Sequence, residues 1–272
     1  MLKDITLGQF FPGKSPVHLL DPRTKLIFLV VYIVALFMAK AWLSYLVLGA
    51  FLVFAISVSK IPPKSIVRGM KPLVMIFVFT AVLNIFLSAG ETVIFKFWII
   101  TVTLEGVIRA VYMLLRILML VTSTFLLTYT TSPIALTDGL ESLLSPLKAL
   151  HLPVHELSMM MCIALRFIPT LIEETDKIMS AQKARGADFE TGSLMDRVKA
   201  MIPILIPLFI SAFRRADELA VAMEARCYRG GDHRTRMHTL AYTSLDRNAY
   251  IAVFVLLAII IAIRIGKTCY GM

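Results

Sequence analysis

Residues 200–213 read Ala200-Met-Ile-Pro203-Ile-Leu-Ile-Pro207-Leu-Phe-Ile-Ser-Ala-Phe213, an apolar stretch that would change the topology of the whole chain if it crossed a membrane. As a helix it covers only about 21 Å, against a hydrocarbon core of about 30 Å. Two prolines interrupt it, and Arg197, Lys199, Arg214 and Arg215 put positive charge at both of its ends. We therefore read it as a buried or interfacial helical segment and not as a membrane span. That reading places everything around it, from about residue 131 to 247, on one side of the bilayer.

Outward from this stretch, the chain is dominated by apolar runs at about 26–39, 42–59, 72–90, 106–130 and 248–263. Hydrophobic residues make up 58% of 272 residues, and mean hydropathy is +0.80, well above the soluble range. A crossing helix needs about 20 residues, so the expectation is an all-α, polytopic membrane protein with five transmembrane helices and a cytoplasmic helical region. The first and last runs are short, which requires Lys25, Lys40 and Arg264 to snorkel to the interface.

The net charge of +10 would suggest nucleic acid in a soluble protein. Here the cations gather between apolar runs, the pattern of membrane topology, and a nucleic-acid partner is set aside. Lys3, Lys14, Arg23 and Lys25 precede the first run, and Lys60, Lys64, Arg68 and Lys71 lie between the second and third. The opposite loops hold Lys40 and Lys96. The N-terminus is thus expected in the cytoplasm of a multi-pass cell-membrane protein, with Arg264 and Lys267 as a mild violation at the far end. Asp4 and a Pro-Gly pair before any apolar run do not match a cleavable leader. Three divisions follow: 1–130 with the tail and four spans, 131–247 as the cytoplasmic helical region, and 248–272 with the last span.

This cytoplasmic region carries half of all Lys and Arg. It parses into a short helix from Ser132-Pro133 to about Leu150, a long one from about His155 to Arg185, and another from about Ser193 to Arg226. The long helices end alike, in Ala181-Gln-Lys-Ala184-Arg185-Gly186 and Ala222-Met-Glu-Ala225-Arg226-Cys227, each preceded by an Ile-Pro pair at Ile168-Pro169 and Ile206-Pro207. Two similar ends imply two similar partners. An arginine in a last turn before glycine is also an ordinary helix stop, and the two readings are compatible.

With His18-Leu-Leu-Asp21-Pro22-Arg23-Thr24-Lys25, Ala164-Leu-Arg166-Phe-Ile-Pro169 and the two Ala-Arg ends, the chain resembles the transmembrane T component of energy-coupling factor transporters over nearly its whole length. The resemblance implies a scaffold that joins two cytoplasmic ATPase subunits to a small, separate substrate-binding membrane protein, the S component, for uptake of a vitamin or metal ion. It implies docking of the ATPases by Ala184, Arg185, Gly186, Ala225, Arg226 and Cys227. The second motif has Cys227 where the pattern often has glycine, which puts its cap geometry in question. A guanidinium at a helix tip offers a fork of donors suited to a carboxylate in a groove.

Arg116 lies inside the fourth apolar run, where an ionisable group has either a structural partner in the bundle or a function. Glu105 and Arg109 read as a surface i, i+4 pair. Arg166 is expected to tie the coupling helices together, and the apolar faces around Met159 to Met161 and Met201 to Phe213 to be internal packing, although Met-rich surfaces also suit adaptable contacts with several partners. Catalytic and metal motifs fail: His155-Glu156 begins an HExxH with Met at 159, Pro153 interrupts the His151 to His155 spacing, and Cys162, Cys227 and Cys269 have no CxxC. Gly266-Lys267-Thr268 lacks the first glycine of a phosphate loop and lies at a span end. No enzyme activity, cofactor or metal is expected. The rival reading is a self-contained secondary transporter or channel, which would place charges in several spans; the first three have none in their interiors.

Overall fold

A computed structural model describes residues 10–87, 92–97, 100–150, 153–189, 191, 193–230 and 239–270. Lys3, Asp4 and His151 lie outside the described residues, as does the end of the third apolar run at 88–90. The chain divides into two compact units, one of residues 141–239 and the other of residues 8–140 and 240–272.

The larger unit is a helical bundle. Its elements are α1 (Pro16–Leu19), α2 (Pro22–Met38), α3 (Trp42–Ser59), α4 (Pro63–Met70), α5 (Val74–Leu87), α6 (Leu104–Thr130), the first half of α7 (Pro133–Leu144) and α10 (Ser244–Tyr270). The chain from α4 to α5 continues through a single 3₁₀ turn, Lys71–Leu73, that accommodates Pro72. A short antiparallel hairpin, β1 (Val93–Phe97) and β2 (Ile100–Thr103), joins α5 to α6, a feature the apolar pattern does not announce.

Among the described residues, five helical segments are long and apolar enough to cross a membrane: α3, Pro63–Phe86, α6, Val154–Ala184 and Ser244–Gly266. The count matches the sequence expectation, but the membership differs in one place. The first run forms α2 of 17 residues, about 26 Å, and the long helix beginning at Val154 takes its place by length and composition.

Helices in lipid gain little from the hydrophobic effect on pairing, so close van der Waals packing must hold them. Tyr32, Ala35 and Leu36 of α2, Ala39 that caps it, Tyr45, Leu48 and Leu52 of α3, Met119 of α6, and Leu256 and Ile260 of α10 form one buried cluster. Small residues permit the approach: a Cβ at Gly49 would lie 3.0 Å from Met119 Cε. Val30, Phe37, Phe54 and Phe79 are exposed, as a lipid-facing surface requires. The hydroxyls of α6 bond within their own helix, Thr122 to Leu118 O at 2.7 Å, Thr124 to Leu120 O at 3.0 Å and Thr128 to Thr124 O at 2.9 Å, so they need no water or partner.

The segment His18 to Lys25 works as a clamp on the helix ends. Asp21 caps α2, accepting from Arg23 N at 2.9 Å, and its own N–H donates to Asp246 Oδ1 at 2.8 Å. Asp246 accepts from Thr243 N and Oγ1 through its other oxygen, completing the cap of α10. Lys25 Nζ donates to Thr130 O at 2.9 Å and His18 O at 3.1 Å, satisfying the last turns of α6 and α1. Arg23 donates to Leu240 O and stands over the Tyr242 ring.

Candidate functional site

The smaller unit is built from the end of α7, a 3₁₀ turn (Ser145–Leu150), α8 (Val154–Ala184) and α9 (Leu194–Ala225). His155 hydrogen-bonds Glu141 at 3.1 Å and ties α7 to the start of α8, so this histidine has a structural partner. Ser193 opens α9 with a reciprocal capping box to Asp196. Despite Pro203 and Pro207, α9 runs unbroken for 32 residues, about 48 Å. α8 runs for 31.

Both helices stop in the same way. At the end of α8, Gly186 N donates to Lys183 O and Ala187 N to Gln182 O, each at 3.0 Å, with Gly186 at φ +89°. At the end of α9, Cys227 N donates to Glu224 O at 2.8 Å and Tyr228 N to Met223 O at 3.0 Å, with Cys227 at φ +58°. These are two complete Schellman caps. The question raised by Cys227 is thereby answered, because the side chain is carried in the left-handed region at a cost of about 1 kcal/mol. Arg185 and Arg226 occupy the same position in the two caps, and both are exposed, as are Ala184, Gly186, Ala225 and Cys227. No described residue gives either guanidinium a hydrogen bond or an ion pair.

The tie between α8 and α9 is Arg215 Nη2 donating to Glu174 Oε2 at 2.9 Å, with Ser211 beside the guanidinium. Arg166, expected in that role, is exposed and has no ion pair among the described residues. It sits eight residues before Glu174, about 12 Å along the helix, which is out of reach of that contact. The sequence carried the correct signal: aligning the two motifs on their arginines puts Glu174 and Arg215 at one position with opposite charge.

The apolar faces expected as internal packing are largely uncovered. Met160 and Met161 of α8 and Met201, Leu205, Phe209 and Phe213 of α9 are exposed, while Ile204 is buried. Two helices cover only one side of each other, which leaves these apolar side chains open.

In the larger unit, Arg116 has structural partners. Its Nη2 donates to Tyr45 Oη at 2.7 Å and Ala39 O at 3.4 Å, and the guanidinium lies over the rings of Phe37 and Tyr45. Glu105 accepts from Thr92 N and Oγ1, closing the hairpin onto α6, while Arg109 acts on it by longer-range attraction.

The fold is that of a helical membrane protein with a pair of long helices that present matched arginine caps. The family model described as cobalt transport protein, CbiQ, matches residues 13–238. The chain is 54% identical to the energy-coupling factor transporter transmembrane protein EcfT of Acidaminococcus fermentans over 95% of this chain and 97% of that one. It is 53% identical to the protein of that name in Clostridium kluyveri over 97% and 98%, and 46% identical to that of Bacillus subtilis over 97% and 100%. The chain belongs to this family of transmembrane components of energy-coupling factor transporters.

Proposed function

We propose that this chain is the non-enzymatic scaffold that couples ATP hydrolysis in two cytoplasmic ATPase subunits to reorientation of a small substrate-binding membrane protein. Arg185 and Arg226 are the docking tips, each offered to a carboxylate in a groove of one ATPase. The observation that carries the reading is the pair of identical caps with exposed, unengaged guanidinium groups among the described residues. A rigid helix of about 45 Å transmits a displacement at its tip along its whole length. In this reading α8 and α9 lie on the cytoplasmic side, and their uncovered apolar faces meet the membrane or the S component. The self-bonded hydroxyls of α6 favour this over a self-contained channel, which would need polar groups free to face a pore. Affinity purification from native membranes tests it: two ATPases and a small membrane protein are expected to co-purify, and recovery of the chain alone in a transport-competent form would contradict it.

A further inference from the structure

At one end of the bundle, the turn between α2 and α3 and the facing parts of α5 and α6 surround an open cavity of about 490 Å³. Its polar lining is Lys40, Arg109, Arg116, Asn84, Tyr45 and Tyr112. Three cations face it and, among the described residues, no carboxylate lines it; Glu105, one turn before Arg109, is engaged by Thr92. Arg116 bonds through Nη2, while its Nε is shielded from solvent and has no partner among the described residues. A buried guanidinium donor left unpaired is costly, and an added anion would remove that cost.

The depth of the cavity narrows the ligand. Arg116 reaches the Ala39 carbonyl at the end of α2 and the Tyr45 hydroxyl in the first turn of α3, so it lies at the level of the α2–α3 turn although it is far inside α6. Trp42, Tyr45 and Tyr112 cluster at that level, with ring centroids 6.3 Å apart for Trp42 and Tyr112 and 5.2 Å for Tyr45 and Tyr112. Aromatic rings of this kind mark the membrane interface, where lipid phosphates lie. Arginine and lysine donors at that depth are placed to pair with phosphate oxygens.

We propose that this cavity binds a phosphate group, with Lys40 and Arg109 as mobile cations and Arg116 as the fixed donor. The phosphate comes either from an anionic phospholipid or from free phosphate, and the two are separable. The purified full-length chain in detergent would be titrated with dioleoyl phosphatidylglycerol and dioleoyl phosphatidylcholine, followed by native mass spectrometry, and with inorganic phosphate, followed by thermal unfolding. Preference for phosphatidylglycerol by about tenfold, reduced at least about fivefold in Lys40→Gln/Arg109→Gln, supports the site and assigns it to lipid. Both of those side chains are exposed, so the double variant is expected to fold; Arg116→Gln serves as the second variant. Stabilisation by inorganic phosphate without preference between the lipids, lost in the double variant, supports the site and assigns it to the free anion. Equal retention of both lipids without stabilisation by phosphate, or binding unchanged in both variants, overturns it.

Discussion

Arg215 of α9 donates to Glu174 of α8 at 2.9 Å, and each of the two stands eleven residues before the arginine that caps its own helix, Arg226 and Arg185 respectively. The contact is therefore about 16 Å along the helix from either tip. A displacement at one cap reaches the joint over the same lever length as a displacement at the other. With side chains 32% and 25% exposed, the pair contributes about 0.5–1 kcal/mol to stability, so its value lies in fixing which residues meet.

Reversing one charge, in Glu174→Arg or Arg215→Glu, places like charges together and is expected to reduce uptake by the assembled transporter. The exchange of both, Glu174→Arg/Arg215→Glu, should recover most of it. A double variant no more active than the singles would remove the joint from the account.

The two caps offer a controlled comparison. A Cβ at Gly186 would meet nothing within 4 Å, so Gly186→Ala tests backbone conformation alone and should destabilise the end of α8 by about 1 kcal/mol. Cys227→Gly should relieve the second cap by a similar amount, about 1 kcal/mol. Hydrogen exchange of the amides at 187 and 228 reads each cap directly, and equal protection in all variants would argue against the left-handed geometry.

His18 introduces a pH dependence. Burial is the main influence and holds its pKa below the ordinary 6.5, Lys25 acts in the same sense, and the hydrogen bond to the Phe11 carbonyl opposes them. A histidine with a lowered folded pKa stabilises the fold above 6.5 and loses that contribution as pH falls from 6.5 through the folded value. Unfolding in detergent between pH 7.5 and about 5 should therefore show a decline in stability that His18→Gln flattens. A parallel decline in the variant would place the titration elsewhere.

Much of this was legible in the chain. Ser193, the two Ala-Arg ends and Ser132-Pro133 marked helix boundaries that the structure reproduces within a residue or so, because caps are local chemistry. The bundle's spans were legible for the same reason, as apolar length is read without knowing any contact. What was not legible depends on pairing between distant elements. Arg166 and Arg215 look alike locally, and the alignment of Glu174 with Arg215 that separates them joins residues 41 apart. Asp21 and Asp246 are 225 residues apart, and nothing local in either signals their hydrogen bond. The exposed faces of α8 and α9 are the clearest case: apolar composition says that they are covered, not by what.

Sidedness provides an independent check on the docking proposal. Native Cys227 is exposed at the second tip, and Ala187→Cys would mark the first. In chains carrying one of these cysteines alone, both should be protected from an impermeant thiol reagent added outside intact cells and labelled once the membrane is opened. Labelling of one and not the other would mean that α9 crosses the bilayer and separates the tips.

The central claim is that the two arginine caps are the sites at which ATP hydrolysis is passed to the membrane. The direct measurement is substrate uptake and ATPase retention by the complete transporter carrying Arg185→Ala/Arg226→Ala, beside each single variant. Loss of a buried ion-pair partner costs about 2–5 kcal/mol, which predicts partial defects in the singles and abolished uptake with weakened ATPase association in the double. Wild-type uptake with both ATPases retained in the double variant would contradict the account.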